Sequence, residues 1–231
     1  MNLPLSSDYI DIHTHGGQSG EGIFVLENLM AHEERVPDDL PEQPCSYGIH
    51  PWNLLEENSD LLLNKLKAVT GSINLFAVGE CGFDKLRGAS PELQRKLFEE
   101  QAAIAEVIKK PVVIHCVRGW DELLASHKKL RPKMPWLIHG FRGNKEMAKQ
   151  LIVKGFYLSF WFDYIIRPES AELIRSVPKN RIFLETDGAD IEIRDIYNKV
   201  SADLNLPVEE LRSVIWQNFT ELFNKTAGLT G

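Results

Sequence analysis

The sequence predicts a single α/β domain, residues 1–231, folded as a TIM-type (β/α)8 barrel. Three observations predict this fold. Short apolar runs alternate with amphipathic helical patterns, there are eight such runs, and 231 residues is close to the roughly 250 residues typical of such barrels. Strands that alternate with helices pair in parallel, so we expect one closed sheet surrounded by helices.

The eight candidate strands are short, mostly apolar and rich in β-branched or aromatic residues. The sequence between them contains no low-complexity segment and no obvious linker, which favours one domain. The strands are expected at residues 8–13, 22–30, 45–50, 74–80, 111–116, 135–139, 155–160 and 181–186.

The clearest helical pattern is SPELQRKLFEEQAAIAEVIKK, residues 90–110. Ser90 is a candidate N-cap, Pro91 suits the first helical position, and apolar residues recur on one face. Similar stripes lie at residues 54–69, 120–130, 144–154, 169–176 and 207–223. The first connection has room only for a glycine-rich loop, and prolines break the second at residues 36–44. We therefore expect a barrel poor in helix after the first and second strands.

The net charge of −7 counts against proteins that hold nucleic acid or anionic membranes over a wide basic surface. A nucleic-acid substrate is compatible with this charge if cations inside a site hold it locally. The N-terminus has no signal-peptide pattern, no run approaches the about 18 apolar residues of a membrane span, and the three cysteines lack a CxxC spacing. We expect a cytoplasmic protein with no membrane association and no evident obligate protein partner.

Metal-capable side chains stand at the carboxyl ends of the predicted strands. Six of the runs end in IDIHTH, YGIHP, AVGECGFD, VVIHC, WLIHG and IFLETD. In a parallel barrel these ends converge on one face, where active sites are built. A lone histidine at a strand end is more often structural, but seven such side chains on one face favour a metal centre. They are His13, His15, His50, Glu80, His115, His139 and Asp187.

The same motifs resemble those of the TatD family of metal-dependent hydrolases. The resemblance rests on DIHTH, GIHPW, GECGFD, VVIHC, HGFRG and LETDG in the family's order, with QNFTELF near the end, and it spans residues 8–224. It implies a β/α barrel that uses two divalent metal ions to hydrolyse phosphodiester bonds, typically of DNA from the 3′ end. The implied substrate is a DNA end or a small phosphodiester.

The resemblance also implies roles for single residues. His13, His15 and Asp187 are expected to hold one ion and His115 and His139 the other, with Glu80 bridging both. The two ions carry more positive charge than Glu80 and Asp187 carry negative charge, which leaves a net positive site that clamps a phosphate and activates a bridging water as nucleophile. Imidazole and carboxylate ligands suit zinc or manganese and also accept magnesium. His50 is expected to bond a phosphate oxygen or to assist the leaving group.

One departure from the family's pattern concerns substrate binding. The family usually has an arginine two residues after the fifth-strand histidine, whereas Arg118 follows His115 by three. In an extended segment a shift of one residue reverses the direction of a side chain, which counts against Arg118 as the phosphate ligand. The loops after the fourth and sixth strands offer replacement cations. These are Lys85, Arg87 and Arg142.

Two other function classes compete with a nuclease. An amidohydrolase or lactonase for a small molecule would use the same two-metal barrel, but such enzymes often bridge their metals with a carboxylated lysine where this sequence has Glu80. A barrel that binds a partner without turnover is disfavoured by the complete ligand set. Trp52 and the tryptophan of SFWFD, residues 159–163, are candidates for stacking a base at the mouth of the barrel.

Overall fold

The computed structural model of the chain describes residues 3–17, 19–33, 40–161, 167 and 169–224. Parts of three sequence predictions lie outside the described residues: residues 36–39 of the proline-broken connection, residues 162–163 of SFWFD, and both ends of the predicted domain. The domain boundaries therefore stay a prediction.

Eight parallel strands form one sheet in the order in which they occur along the chain. This arrangement confirms the predicted barrel. The strands are β1 (Tyr9–Thr14), β2 (Ile23–Met30), β3 (Cys45–Gly48), β4 (Leu75–Asp84), β5 (Val112–Val117), β6 (Trp136–Ile138), β7 (Tyr157–Phe160) and β8 (Ile182–Leu184).

Helices follow most strands and pack on the outside of the sheet. They are α1 (Ser59–Val69), α2 (Pro91–Ile108), α3 (Trp120–Leu130), α4 (Lys145–Val153), α5 (Ser170–Ser176), α6 (Ile193–Leu204) and α7 (Val208–Asn224), with short 3₁₀ helices at Pro51–Asn53, Glu56–Asn58 and Lys179–Arg181. The described residues between β1 and β3 contain no helix, as expected for this quarter of the barrel. In α2, the Ser90 hydroxyl accepts from the Leu93 N–H at 3.2 Å, which confirms the predicted N-cap.

The helix α6 was not predicted from the sequence. Its apolar residues nevertheless recur at helical spacing, since Ile193, Ile196, Tyr197 and Val200 are all buried. The Tyr197 hydroxyl donates to the Ile10 carbonyl at 3.1 Å and accepts from the Ile10 N–H at 3.0 Å. One buried side chain of α6 therefore ties this helix to the backbone of β1.

The barrel closes where β8 meets β1. The Asp187 N–H donates to the His13 carbonyl at 3.1 Å, just beyond the end of β8. The Asp11 carboxylate accepts from the Thr186 N–H at 3.0 Å and from the Thr186 hydroxyl at 2.6 Å. The Thr14 and Thr186 hydroxyls are hydrogen-bonded to each other at 2.8 Å. These side-chain contacts fix the position of Asp187 relative to His13.

Bulges in β1 and β4 occur at two of the predicted metal ligands. In β1, Asp11 pairs with Val25 and Thr14 pairs with Glu27, so three residues of β1 face two residues of β2. In β4, Val78 pairs with Val112 and Cys81 pairs with Ile114, which again sets three residues against two. A bulge places one extra residue in a strand and re-aims the neighbouring side chains. His13 and Glu80 lie inside these two irregular segments.

The sequence predicted that the fourth strand ends at residue 80, but β4 continues to Asp84. Gly82 permits this extension, because its φ is +149° and a Cβ built there would lie 2.0 Å from the His115 carbonyl oxygen. A side chain at this position would separate β4 from β5. Within the described residues, no helix combines the length and the apolar character needed to span a bilayer.

Candidate active site

Glu80 lies at the centre of the predicted ligands, on β4, and only 2 % of its surface is exposed. Its backbone N–H donates to the Asn28 side-chain oxygen at 2.9 Å, and the Asn28 amide donates to Glu80 Oε2 at 3.3 Å. Asn28 is itself buried and accepts from the Ser46 hydroxyl at 2.9 Å. Residues of β2 and β3 therefore fix the Glu80 carboxylate from one side.

The Oε2 atom of Glu80 faces a first set of donors from β1 and the end of β8. It lies 3.5 Å from His13 Nε2 and 3.8 Å from His15 Nε2. Asp187 Oδ1 lies 3.6 Å from each of the same two nitrogens. His13, His15 and Asp187 thus offer three ligand atoms around one point, with Glu80 as a fourth.

Two observations test whether a metal ion fits this first set. The nitrogens of His13 are fully buried, yet neither makes a hydrogen bond to any described residue. A buried polar atom normally has a partner, so these nitrogens need one. The separations of 3.5–3.8 Å are also close to the ~3.4 Å expected for ligand atoms bonded at about 2.1 Å around a tetrahedral ion. The first set fits a divalent metal ion.

The Oε1 atom of Glu80 faces a second set of donors from β5 and the residue after β6. It lies 2.9 Å from His115 Nδ1 and 2.7 Å from His139 Nε2, and these two nitrogens are 3.4 Å apart. Both rings are buried. The two carboxylate oxygens of Glu80 are therefore divided between two sets of imidazole donors.

The far side of each histidine in the second set contacts a carboxylate. His139 Nδ1 lies 3.3 Å from Glu185 Oε1, which also accepts from the Gly140 N–H at 2.7 Å. His115 Nε2 lies 3.3 Å from Asp84 Oδ2. With a proton held on the carboxylate side of each ring, the nitrogen that faces Glu80 would be free to ligate a metal ion once it gives up its own proton to the solvent. The second set has the donor types that a divalent ion takes, but at 2.9 and 2.7 Å from Glu80 Oε1 its two nitrogens lie at hydrogen-bond distance from the carboxylate.

His50 lies beside this second set but differs from it in tautomer. Its Nε2 is 3.2 Å from Glu80 Oε1, and its Nδ1 accepts from the Trp52 N–H at 3.2 Å. A neutral ring whose Nδ1 accepts a hydrogen bond carries its proton on Nε2. Burial lowers the pKa of His50, which keeps the ring neutral despite the neighbouring Glu80. His50 therefore presents a hydrogen-bond donor, and not a metal ligand, to the site.

The two central carboxylates are ionised at neutral pH. Burial alone would raise the pKa of Glu80, but the charge of His139 and a hydrogen bond from His115 hold it well below its usual value. Burial likewise opposes ionisation of Asp187, but a hydrogen bond from His15 and the nearby histidine charges lower its pKa. Ionised carboxylates surrounded by imidazoles provide the negative charge that divalent ions require.

A cleft of about 480 Å³ opens above these residues, and its floor includes His115, His139 and Asp187. The Asp187 side chain is 19 % exposed, whereas Glu80 is covered. Asp187 has a φ of +54°, an uncommon value for a residue other than glycine, in the turn that follows β8. The remaining walls of the cleft are rich in tryptophan and arginine: Trp52, Trp120, Trp161, Arg118, Arg142 and Arg167.

Arg118 is one of the residues that line this cleft, as are its neighbours Cys116 and Val117. The alternation rule applies to extended backbone, but β5 ends at Val117 and Arg118 has a φ of +55°. A left-handed residue turns the chain, so alternation does not determine the direction of this side chain. Arg118 lines the same cleft as His115.

The three replacement cations have different positions. Arg142 lines the cleft, with its guanidinium 4.2 Å from the centre of the Trp161 ring. Arg87 lies with its guanidinium 4.1 Å from the Trp52 ring centre and is not among the described cleft-lining residues. Lys85 is paired with Glu122 at 3.0 Å and is not one of the described residues that line the cleft. The structure therefore does not place Lys85 in the site.

Sequence reasoning missed three residues that support the ligands: Asn28, Asp84 and Glu185. Asp84 and Glu185 were visible inside the motifs GECGFD and LETDG. Glu185 precedes Asp187 by two residues and is fully buried, where it also accepts from the Ser159 hydroxyl. Asn28 stands in a strand without a recognisable motif, so only the three-dimensional contacts identify it.

A model of the family described as "TatD related DNase" matches residues 38–224 of this chain. The matched range runs from before β3 to the end of α7 and includes Glu80, His115, His139 and Asp187. His13 and His15 precede it, so their assignment depends on their distances to Glu80 and Asp187.

Curated relatives match most of the chain. The "3′-5′ ssDNA/RNA exonuclease TatD" of Citrobacter koseri is 27 % identical over 219 residues, which covers 90 % of this chain and 84 % of that protein. The "uncharacterized metal-dependent hydrolase YjjV" of Escherichia coli K12 is 26 % identical over an alignment of 244 positions, gaps included, which covers 96 % of this chain and 93 % of that protein.

Solved structures share the fold. The TatD homologue YjjV of Escherichia coli superposes with a TM-score of 0.77 at 21 % identity, and a TatD-family hydrolase of Entamoeba histolytica with a TM-score of 0.76 at 16 % identity. Each match covers 95 % of this chain and 99 % of the other. The family model alone covers well over half of the chain. The barrel fold and the two donor sets around Glu80 agree with this match. The chain therefore belongs to the TatD-related DNase family of metal-dependent hydrolases.

Proposed function

We propose that this TatD-type hydrolase is a two-metal phosphodiesterase that removes nucleotides from the 3′ end of single-stranded nucleic acid. The proposal rests on one observation: the two carboxylate oxygens of Glu80 face different pairs of histidines. Oε2 faces His13 and His15, whereas Oε1 faces His115 and His139. A carboxylate shared in this way suits a bridge between two ions. The substrate class follows the names of curated relatives such as the exonuclease of Citrobacter koseri.

We assign His13, His15, Asp187 and Glu80 to one zinc, manganese or magnesium ion and Glu80, His115 and His139 to the other. When bound, two divalent ions stabilise charge on a phosphate and lower the pKa of water. The Asp187 carboxylate is ionised and reaches the cleft, so it accepts the proton of the attacking water. The water oxygen bonds to phosphorus as the bond to the leaving oxygen breaks.

His50 and the cleft arginines complete the assignment. The Nε2 proton of His50 points toward Glu80 Oε1 and is available to a phosphate or leaving-group oxygen beside it. Arg118 and Arg142 line the cleft and supply donors to the phosphates of the strand. Binding of a nucleic-acid strand through these few cations alone is compatible with a net charge of −7.

The small-molecule alternative, an amidohydrolase or lactonase, is less well supported. Position 80 holds a glutamate, where the alternative favours a carboxylated lysine. A cleft walled by arginine and tryptophan also suits phosphates and bases better than a small neutral substrate. We place the enzyme in the cytoplasm, which is compatible with three cysteines that form no disulfide.

The proposal is tested by assaying the purified chain after chelation and after adding back zinc, manganese or magnesium separately. The substrates are a 5′-labelled single-stranded oligonucleotide, the same strand with a blocked 3′ end, bis(p-nitrophenyl) phosphate and a panel of lactones. We expect metal-dependent shortening from the free 3′ end only. Turnover of a lactone without cleavage of any phosphodiester would favour the small-molecule alternative.

A further inference from the structure

Trp52 is a large aromatic residue that the fold holds at the surface. It follows β3, belongs to the short 3₁₀ helix Pro51–Asn53, and has 44 % of its surface exposed. It lines the cleft above the ligands, and its ring centre lies 5.6 Å from that of His115. Part of the ring packs on His50, 4.7 Å away between ring centres, and the exposed part is open to the solvent at the cleft.

Hydrogen bonds fix the orientation of this ring. The indole N–H donates to Asp84 Oδ2 at 2.6 Å, and the backbone N–H donates to His50 Nδ1 at 3.2 Å. Asp84 is 3 % exposed and receives a further hydrogen bond from the Leu86 backbone N–H at 2.8 Å. The indole is thereby held in one orientation before any substrate arrives.

The loop that follows β4 supports the ring from a second side. Buried Gln94 donates to the carbonyls of Asp84, Arg87 and Ala89 at 2.9, 3.3 and 2.8 Å, which fixes the course of the loop. Gly88, with φ +89°, allows the loop to approach Pro51 so closely that a Cβ would lie 2.2 Å from its carbonyl oxygen. The two segments that carry Trp52 and Arg87 are packed directly against each other.

Arg87 stacks on the ring that these contacts hold. Its guanidinium lies 4.1 Å from the Trp52 ring centre, whereas Lys85 in the same loop is paired with Glu122. Tryptophan faces and arginine planes both stack on nucleobases. Arg118 and Arg142 stand on other walls of the same cleft. An aromatic surface therefore lies on one side of the ligands and further guanidinium groups lie elsewhere around the cleft.

We propose that Trp52, supported by Arg87, is the stacking platform for the terminal nucleobase of the strand, and that it makes the enzyme select strand ends that carry a base. This inference rests on the proposed nuclease function. It assigns recognition of the base to the rim formed after β3 and β4, and recognition of the strand's phosphates to His50 and the cleft arginines.

The test compares Trp52→Phe with Trp52→Leu on two single-stranded substrates. One is a 5′-labelled oligothymidylate, and the other is the same strand with an abasic residue at its 3′ end. Both variants lose the indole N–H that contacts Asp84, so they share any effect on His115, but only phenylalanine keeps an aromatic face. We expect kcat/KM of the leucine variant to be about tenfold below that of the phenylalanine variant on the normal strand, and within about twofold of it on the abasic strand.

Equal losses for both variants on both strands would overturn the stacking role and leave Trp52 as a support for Asp84. The wild-type enzyme distinguishes this failure from failure of the proposed function. If wild type shortens the normal strand in manganese while the two variants behave alike, only the stacking inference is wrong. If wild type shortens neither strand, the nuclease assignment is wrong.

Discussion

Glu80 is buried and ionised, a combination that costs stability unless the charge is compensated. Compensation comes from imidazoles on both of its oxygens and from the Asn28 amide. Removal of the Glu80 side chain therefore affects both donor sets together, whereas removal of one histidine affects a single set.

We expect Glu80→Ala to lose both metal ions and to be inactive, because each donor set retains too few ligands. His139→Ala is the matched comparison and is expected to weaken mainly one ion. Metal analysis of the dialysed proteins by plasma mass spectrometry checks both. Two full equivalents of metal in well-folded Glu80→Ala would contradict the bridging role.

Asp187→Asn is expected to lower kcat about a hundredfold or more, because an amide cannot accept the proton of the attacking water. Thermal unfolding should change little, since the Asp187 N–H that contacts His13 is retained. The measurement is single-turnover cleavage under saturating metal. Near-normal turnover of fully metallated Asp187→Asn would remove Asp187 from the catalytic residues.

Glu185→Gln tests a residue that only the structure revealed. The amide keeps the size of Glu185 but loses the charge opposite His139 Nδ1. We expect affinity for the ion held by His139 to fall about 10- to 100-fold, as is typical when the carboxylate behind a ligating histidine is removed. Competition with a fluorescent chelator measures this affinity. Unchanged affinity for the metal ion would show that Glu185 acts only as the hydrogen-bond acceptor for Gly140 and Ser159.

Among the elements, β4 contributes most to the site, since it carries both Glu80 and Asp84. Its course depends on glycine. A Cβ at Gly79 would lie 2.3 Å from the Val113 carbonyl oxygen, and one at Gly82 would lie 2.0 Å from that of His115. The bulged strand can approach β5 only because these positions lack side chains.

Gly82→Ala is therefore expected to destabilise the fold by at least about 2 kcal/mol, because it combines steric overlap with an unfavourable φ. Gly71→Ala is the control: a Cβ there meets nothing within 4 Å, so its effect should stay within about 0.5 kcal/mol. Urea denaturation of the two variants checks the difference. Equal stability would mean that β4 can move away from β5 without cost.

For the whole molecule, the net charge of −7 limits how nucleic acid can be held. Binding through a few cleft cations predicts a shallow salt dependence, equivalent to about one to three neutralised phosphates. A steep dependence would require a wide basic surface.

We expect this shallow slope for inactive Asp187→Asn bound to a short single-stranded oligonucleotide. Adding Arg118→Ala should weaken binding and reduce the slope by about one charge, whereas Lys85→Ala should change neither, because Lys85 is paired with Glu122 outside the cleft. Fluorescence anisotropy at several salt concentrations measures both quantities. A dependence of affinity on salt equivalent to about six or more neutralised phosphates would contradict binding through a few cleft cations.

The alternation of strands and helices was sufficient to predict the barrel, and strand ends were sufficient to select the seven candidate residues. The direction of Arg118 was not predictable by alternation, because its left-handed backbone ends the extended segment. The extension of β4 to Asp84 depends on a bulge, and bulges leave only weak traces in sequence. Contacts such as Asn28 with Glu80 join strands distant in sequence, so no local pattern reports them.

The closure of the barrel also has a consequence for the synthesis of the protein. His13 lies on the first strand and His15 directly after it, while Asp187 follows the last, and these residues meet only where β8 lies against β1. A nascent chain that has not yet released β8 from the ribosome can assemble the donors of β4, β5 and β6 but not the first donor set. We therefore expect the first donor set to be complete, and the hydrolase to be active, only after the barrel has closed.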